Sequence, residues 1–451
     1  MPVTEPRQGR IRVAVAIVVA ILLLGLPGSA AADPPKLSAK SWALIDPRDG
    51  SLLAAKAAGK RLPIASATKL MTAYLALKRL RPNQMIAAPA YRPRSSLEIL
   101  LGLQAGERMR VKDLLYGALL PSANDAAETL AVGVSGSVPA FVAAMNQSAR
   151  RLDLADTHYA NPIGFDAPGN YSSARDLATL ASILLRDKLF ARIVDSPSAT
   201  LRSGDRVRQV TSRNTLLGRA AWVSGVKTGH TQGAGYVLVG SGTQEETTLI
   251  SAVIGAPSES ARDADTLALL DYGFSLYRPV EPVRRGQELA DPGLDYRDDD
   301  LSLVAERTLA VNVREGQRVG TRVSAPDEVS GSVERGERLG RATVTVDGEP
   351  AASSPLVAAQ AVAAATTLDK ALSTAQNPIV LIALAAIVIL VGLLLTMRGR
   401  GSGPPIENPA PRARQEEQRS PQQRTPEERR RMHEERMRRR RQRIEREGGT
   451  G

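Results

Sequence analysis

The chain has 451 residues, of which 43% are hydrophobic, and it contains no cysteine. The length allows two or three domains, the apolar fraction suits a globular protein with a core, and the missing thiols exclude disulfides, thiolate nucleophiles and cysteine-ligated zinc. The formal net charge is +12, but residues 398–451 alone hold 16 arginines and 9 glutamates, so the basicity belongs mostly to this end and does not indicate a nucleic-acid-binding domain.

The first 32 residues have the pattern of a secretory signal peptide. Three arginines in residues 1–12 precede an apolar run, VAVAIVVAILLLGL, and a Pro-Gly break with small residues follows it. The run is shorter than the ~20 residues that a spanning helix needs. We therefore predict export of the chain and cleavage after Ala32, with an uncleaved membrane anchor as the alternative.

Residues 33–277 are predicted to form a domain of the α+β class, an antiparallel sheet flanked by helices. Residues 41–57 read as two short strands around the turn DPRDG, and the stretch ASATKLMTAYLALKRL (65–80) reads as a helix that ends near Arg81. Residues 224–256 read as three consecutive antiparallel strands with glycine-rich ends, and residues 266–277 read as a helix.

The C-terminal third divides into four segments of different composition. Short alternating runs predict a small all-β domain over residues 278–350, and the Ala/Ser-rich residues 351–377 read as a linker. Residues 378–397 carry no charge and are long enough for one transmembrane helix, which Arg398 and Arg400 follow at once. We predict a single-pass membrane protein with its body outside the cell and a basic, disordered cytoplasmic tail, 398–451, held near anionic lipid.

Ser66 and Lys69 stand three residues apart at the start of the predicted helix, and residues with this spacing share a helix face. A serine at a helix N-terminus has an unpaired backbone N–H for a developing oxyanion, and a lysine with a depressed pKa is a suitable base. The pattern suggests a nucleophile beside its base. Alone the motif is weak, because S-x-x-K often arises by chance, and a solvated lysine on an amphipathic helix explains a single instance better.

Two further motifs supply polar groups. Ser122 and Asn124, in LLPSANDAAETLA, offer a hydroxyl for proton relay and an amide that orients a neighbour, although this motif also fits a plain helix cap. Lys227, Thr228 and Gly229 lie at a predicted strand edge, where the cation and hydroxyl suit a carboxylate or carbonyl group and the glycine leaves room for a substrate backbone.

The order S-x-x-K, S-x-N, K-T-G is the signature of serine enzymes that react with β-lactams. With ASATKLMTAY, PSANDAAETLA, HYANPIGFDAPGNYSSARDLA and VSGVKTGHTQGAGY, the sequence resembles the D-alanyl-D-alanine carboxypeptidases, the low-molecular-mass penicillin-binding proteins, from about Ser38 to Val357. The resemblance implies a serine β-lactamase/penicillin-binding-protein-like catalytic domain plus a small all-β domain. It also implies peptidoglycan stem peptides as substrate, β-lactam antibiotics as inhibitors, and neither metal nor cofactor.

The resemblance assigns a role to each motif residue. Ser66 would form the acyl-enzyme with Lys69 as its general base, Ser122 would relay a proton to the departing D-alanine, and Asn124 would position its neighbours. The substrate carboxylate would be held by Lys227 and Thr228, beside Gly229, with Arg213 near the same site. The backbone N–H groups of Ser66 and His230 would form the oxyanion hole. His158 is taken as structural.

Four alternatives fit parts of the pattern. A Ser-His-Asp hydrolase lacks support because there is no G-x-S-x-G motif. A β-lactamase of the commonest class needs a deacylating glutamate, and none stands between Thr129 and Gln244. A DD-endopeptidase acting on peptide crosslinks would use the same motifs. A non-catalytic, membrane-tethered wall-binding sensor would not require Ser66, Lys69, Ser122 and Lys227 together.

Overall fold

A computed structural model describes residues 33–96, 98–297, 299–376 and 378–398. The predicted signal peptide, 1–32, lies outside the described residues, and so does the predicted basic tail apart from Arg398. The chain divides into two compact units, one up to Lys370 and one from Ala371.

The helices and strands are as follows. The helices are α1 (Lys69–Arg79), α2 (Val111–Leu119), α3 (Asn124–Ser135), α4 (Val138–Arg151), α5 (Ala174–Leu185), α6 (Lys188–Val194), α7 (Glu259–Ser275), α8 (Thr367–Gln376) and α9 (Pro378–Arg398), and a 3₁₀ turn (Ala65–Thr68) leads into α1. The strands are β1 (Ser41–Ile45), β2 (Leu52–Lys56), β3 (Met85–Ala87), β4 (Arg108–Arg110), β5 (Ser198–Leu201), β6 (Arg208–Thr211), β7 (Val223–Thr231), β8 (Gly235–Gln244), β9 (Thr247–Ala256), β10 (Tyr277–Val283), β11 (Glu288–Ala290), β12 (Gly293–Leu294), β13 (Leu303–Ala305), β14 (Leu309–Arg314), β15 (Val319–Ser324), β16 (Glu328–Val329), β17 (Arg338–Val346) and β18 (Glu349–Ala358).

A five-stranded antiparallel sheet of order β2-β1-β9-β8-β7 forms the centre of the first domain. Because side chains alternate across a strand, Trp42 and Leu44 pack with α7 on one face, whereas Ala43 and Ile45 join the core of the helices α1 to α6 on the other. This confirms the predicted α+β arrangement. Strand β7 lies at an edge of the sheet and borders the turn that carries Ser66.

Most predicted elements of this domain are present. The strand pair over 41–57 and the three strands over 224–256 are confirmed. The helix predicted from residue 65 begins as the 3₁₀ turn and becomes α-helical only at Lys69. Helix α7 starts at Glu259, earlier than the predicted 266, because the side chain of Ser258 caps it by accepting a hydrogen bond from Ala261 N.

The all-β domain extends past the boundary predicted at residue 350. Strand β18 covers residues that the sequence pattern assigns to a linker, and it pairs with β17 on one side and β13 on the other. Its small residues look like linker sequence, but Ser354, Leu356 and Ala358 are buried with a period of two. Pairing on both edges supplies the backbone hydrogen bonds that place these residues in the sheet.

The second unit contains the apolar helix α9, within which the side chains of residues 381–395 are described and exposed. In the part of the chain that the structure covers, no single helix is long and apolar enough to cross a membrane, and the apolar stretch of this helix is Leu381–Leu395. The pair α3 and α4, bent by 82°, has the length and composition of a broken span.

Candidate active site

Ser66 and Lys69 meet at the entry to α1. The buried side chains of Ile64, Leu70 and Met71 anchor the turn and the helix in the core, so that Ser66 stays half-buried while Lys69 is fully enclosed. Lys69 Nζ lies 2.9 Å from Ser66 Oγ. The spacing of three residues therefore places the amine directly on the hydroxyl.

Two carbonyl oxygens accept hydrogen bonds from the same amine. Lys69 Nζ donates to Asn124 Oδ1 and to the Ile163 backbone oxygen, each at 2.7 Å. Burial lowers the pKa of Lys69 to about 7, although the carboxylates of Glu98 and Asp125 oppose the shift. A neutral amine has two protons and one lone pair. Because both carbonyl oxygens only accept, they take the two protons, and the lone pair is left for the Ser66 hydroxyl.

Ser122 and Asn124 enter the site from the start of α3. Asn124 does not cap the helix, because the N-cap is Ala123 and no side-chain cap bond is made. Its amide instead joins Lys69 and Glu98. Ser122 has a φ of +72° and a buried Oγ with no hydrogen-bond partner among the described residues. An unpaired buried hydroxyl is costly in a folded protein, and it is the kind of group that a substrate completes.

Strand β7 contributes a buried cation to the site. Lys227 is 1% exposed, and its Nζ donates to the Thr228 backbone oxygen at 2.8 Å. Burial first, and then the positive charges of Lys69, Arg213 and Arg262, hold the pKa of Lys227 well below its ordinary value. Cations that destabilise one another in this way favour an anionic ligand.

Gly229 brings β7 against the turn that carries Ser66. A Cβ built at this glycine would lie 3.0 Å from Ser66 N and 3.1 Å from the Ile64 oxygen, so any side chain would press on the turn. The adjacent His230 is exposed, and its ring lies 4.1 Å from the ring of Tyr236. The backbone N of Arg213 donates to the Leu120 oxygen at 3.1 Å.

The segment after α4 contributes groups that the sequence motifs do not include. Asn161 Oδ1 accepts hydrogen bonds from the backbone N of Ile163, Gly164 and Phe165 at 2.6–3.2 Å, and this folds the chain so that the Ile163 oxygen faces Lys69. Gly164 has a φ of +97°, and a Cβ there would lie 2.0 Å from the Ala65 oxygen. Only glycine fits at this position.

The same segment also holds the β7–β8 turn. Asp166 accepts from Thr231 Oγ1 at 2.7 Å and from Gly233 N at 2.9 Å. The ring of His158 contacts the Gly169 backbone oxygen, and the residue pairs with Tyr171, contacts that give it a structural place. Among the described residues, no group of three or more His, Asp or Glu side chains is arranged to hold a metal ion.

Known proteins match both domains. The family profile described as D-alanyl-D-alanine carboxypeptidase matches residues 29–258, and the profile of the C-terminal domain of penicillin-binding protein 5 matches residues 277–364. The D-alanyl-D-alanine carboxypeptidase DacA of Escherichia coli (strain K12) is 32% identical over 340 residues, which are 72% of this chain and 84% of that protein. DacF of Bacillus subtilis (strain 168) is 31% identical over 358 residues, 76% of this chain and 92% of that protein.

Solved structures agree with these matches. Penicillin-binding protein 5 from Haemophilus influenzae is 30% identical, covers 74% of this chain with 99% of its own, and has a TM-score of 0.51. The Streptomyces K15 DD-transpeptidase is 31% identical, covers 54% of this chain with 100% of its own, and has a TM-score of 0.52. The first profile covers the central sheet and the helices up to α6, the second covers the all-β domain, and α7 lies between the two matched ranges.

Proposed function

The chain belongs to the D-alanyl-D-alanine carboxypeptidase family, and we propose that it is a serine-type D-Ala-D-Ala carboxypeptidase that removes the terminal D-alanine from peptidoglycan pentapeptide stems. The observation that carries this proposal is the set of polar contacts around Lys69. Its Nζ contacts Ser66 Oγ at 2.9 Å and two carbonyl oxygens at 2.7 Å. A buried amine with a pKa near 7 and its lone pair on a serine hydroxyl is equipped to activate that serine.

In the first step Ser66 Oγ attacks the carbonyl carbon of the penultimate D-alanine, and its proton passes to Lys69. The backbone N–H groups of Ser66 and His230 are proposed to stabilise the tetrahedral oxyanion. As the intermediate collapses, the C–N bond breaks, Ser122 gives its proton to the departing amine of the terminal D-alanine, and Ser122 is reprotonated by the proton that Lys69 took from Ser66. The Ser66 ester that remains is then hydrolysed by water, which regenerates the hydroxyl.

The free carboxylate of the terminal D-alanine is proposed to bind to the polar side chains of β7. Lys227 and Thr228 lie on that strand, and the charge of Arg213 acts on Lys227. A carboxylate between these groups would relieve their mutual repulsion and satisfy their donors, which supports a requirement for a substrate with a free C-terminus. Asn124 holds Lys69 in place throughout.

β-Lactam antibiotics are proposed to acylate Ser66 as substrate analogues. The sequence has no glutamate between Thr129 and Gln244 for activating a deacylating water, which supports slow release of the drug rather than β-lactamase activity.

Two related reactions share the acyl-enzyme. A DD-endopeptidase would cleave the peptide crosslink with the same residues. A transpeptidase would transfer the acyl group to an amine instead of water, and the matched Streptomyces K15 protein is named a DD-transpeptidase. Product analysis separates the three, since only the carboxypeptidase releases one D-alanine from a pentapeptide without forming a crosslink or cutting one.

We further propose export of the body and a single membrane span. The charge-free run of residues 378–397 and the arginines after it support this topology, and the short apolar run of residues 13–26 supports the signal peptide. The basic tail would then face anionic lipid on the cytoplasmic side. No nucleic-acid partner is proposed.

The test uses the full-length chain purified in detergent and a stem pentapeptide ending in D-Ala-D-Ala. Release of one D-alanine per peptide supports the proposal, and Ser66→Ala is expected to abolish both this release and labelling by fluorescent penicillin. Labelling that survives Ser66→Ala, or a wild-type chain that neither cleaves the peptide nor binds penicillin, would overturn it.

A further inference from the structure

A carboxylate outside the three motifs contacts the side-chain amide of Asn124. Glu98, in the connection between β3 and β4, accepts a hydrogen bond from Asn124 Nδ2 on Oε2 at 2.9 Å. The same carboxylate accepts from the Tyr91 hydroxyl and from the backbone N of Arg94 and Ser95, so four donors hold it in place. Glu98 therefore links an anchored loop to the active site.

The direction of the Asn124 amide decides whether Lys69 is a base. With Oδ1 toward Lys69, the amide takes one amine proton, and the lone pair stays free for Ser66. With the amide reversed, Nδ2 would donate to the Lys69 lone pair, which would no longer be available to the Ser66 hydroxyl. The two orientations have the same shape, so packing alone does not distinguish them.

An ionised carboxylate distinguishes them because it can only accept hydrogen bonds. Although burial raises the pKa of Glu98, the hydrogen bonds from Tyr91, Asn124 and the backbone outweigh it and hold that pKa below its ordinary value. The charged Glu98 faces Nδ2 of Asn124 and repels Oδ1. The reversed amide would place two acceptor oxygens against each other.

We propose that Glu98 is a positioning residue, which fixes Asn124 with Oδ1 toward Lys69 and so keeps the lysine lone pair on Ser66. The inference rests on the proposed function, since it assigns how that nucleophile is activated. Glu98 hydrogen-bonds to Asn124, and Asn124 in turn to Lys69, so the carboxylate acts on the lysine through the amide.

A second consequence is electrostatic. Burial lowers the pKa of Lys69, and the carboxylates of Glu98 and Asp125 raise it. The charge of Lys69 in turn lowers the pKa of the buried Lys227. Around Glu98 itself stand Arg94, Tyr91 and Glu128. Removing the Glu98 charge would therefore lower the pKa of Lys69 and move the acid limb of the rate profile to lower pH.

The test compares Glu98→Gln with wild type in full-length chain, using the second-order rate of acylation by penicillin from pH 5 to 10. We expect acylation at least about tenfold slower at pH 8, which is part of the ~10²–10⁴-fold that a general base contributes, with an acid limb at lower pH. Glu98→Asp keeps the charge but is too short to reach Nδ2, so it should be slow with an unmoved limb. Glu128→Gln, the matched loss of a nearby carboxylate, should stay within about twofold of wild type.

A double-mutant cycle with Asn124 distinguishes positioning of the Asn124 amide by Glu98 from a general effect of Glu98 on its loop. In an Asn124→Ala background, Glu98→Gln should cause no further loss of rate, because the group it orients is gone. A Glu98→Gln rate equal to wild type, or an equal loss with and without Asn124, would overturn the inference. Wild-type chain that penicillin does not acylate would refute the proposed function itself, whereas normal wild-type acylation with an unaffected Glu98→Gln refutes only the role of Glu98.

Discussion

The amine of Lys69 donates to the backbone oxygen of Ile163 at 2.7 Å although 94 residues of sequence separate them. This carbonyl can only accept, and together with Asn124 Oδ1 it uses both protons of the neutral amine. The third direction leads to Ser66 Oγ. This arrangement supports the proposed role of Lys69 as a base with Ser66 as its one partner.

The rate of acylation should follow the ionisation of Lys69. Burial lowers the pKa of Lys69 to about 7, and only the neutral amine accepts the Ser66 proton. The rate should therefore be low at pH 5, rise through about 7 and level off above it. The measurement is the second-order rate constant for fluorescent penicillin across pH. A rate that does not change between pH 5 and 9 would contradict this assignment, and Lys69→Arg, which stays charged, should be inactive at every pH.

Ser122→Ala should separate activity from stability. The Ser122 hydroxyl is buried without a partner among the described residues, so its removal relieves a desolvation cost and should raise the free energy of unfolding by about 1 kcal/mol. D-Alanine release should fall about a hundredfold or more, because the proton relay to the leaving group is lost. Calorimetry and peptide turnover test the two effects. Equal turnover in Ser122→Ala and wild type would remove Ser122 from the mechanism.

Gly164→Ala should disable the nucleophile turn. The new Cβ would lie 2.0 Å from the Ala65 oxygen, and that backbone must move, which displaces Ser66. Penicillin acylation should drop at least about tenfold, since small displacements of a nucleophile are costly. Gly136→Ala is the matched control, because Gly136 also has a positive φ but no atom within 4 Å of its would-be Cβ. That variant should lose about 1 kcal/mol of stability and keep its acylation rate.

Glu107 and Arg208 form a buried ion pair, with 2.8 Å between Oε1 and Nη1. Glu107→Gln leaves the buried guanidinium without its counter-charge and should cost about 3–5 kcal/mol in chemical denaturation. Asp156→Asn, which breaks the more exposed pair with Arg61, should cost less than about 1 kcal/mol. Similar losses of stability for the two variants would contradict the expectation that burial sets the cost of breaking each ion pair.

The ion pair of Glu107 and Arg208 should also make the free energy of unfolding depend on pH in the acid range. Burial raises the pKa of Glu107, but hydrogen bonds from Arg208 and the backbone outweigh it and hold that pKa below the ordinary value. The stabilisation from a depressed pKa is present above the unfolded-state pKa of about 4.3 and is lost as pH falls through the folded value. Wild type should therefore lose this stabilisation in acid, and the gap between wild type and Glu107→Gln should narrow below about pH 4.

Periodicity and turn residues were enough to predict the strands of the central sheet. Strands β1, β8 and β9 are continuous in sequence and rich in apolar side chains that become buried, and turn or glycine residues mark the more polar β2 and β7. The end of the all-β domain was missed. The small residues of β18 carry little apolar signal, and their place in the sheet comes from backbone pairing with two other strands.

The motif residues were predicted, but the groups that make them work were not. The Ile163 oxygen is a backbone atom with no sequence pattern of its own, and Asn161 and Asp166 look like ordinary loop residues. Glu98 lies in a connection without a regular pattern, and only its contact with Asn124 reveals it.

By itself, the sequence determined which residue types carry the chemistry, since S-x-x-K, S-x-N and K-T-G in order, with the longer stretches around them, identify the family. Only the tertiary structure decided the direction of each hydrogen bond. Burial sets the pKa of Lys69, and two carbonyl oxygens from distant segments leave its lone pair on Ser66. Both effects depend on positions in space that local spacing does not contain.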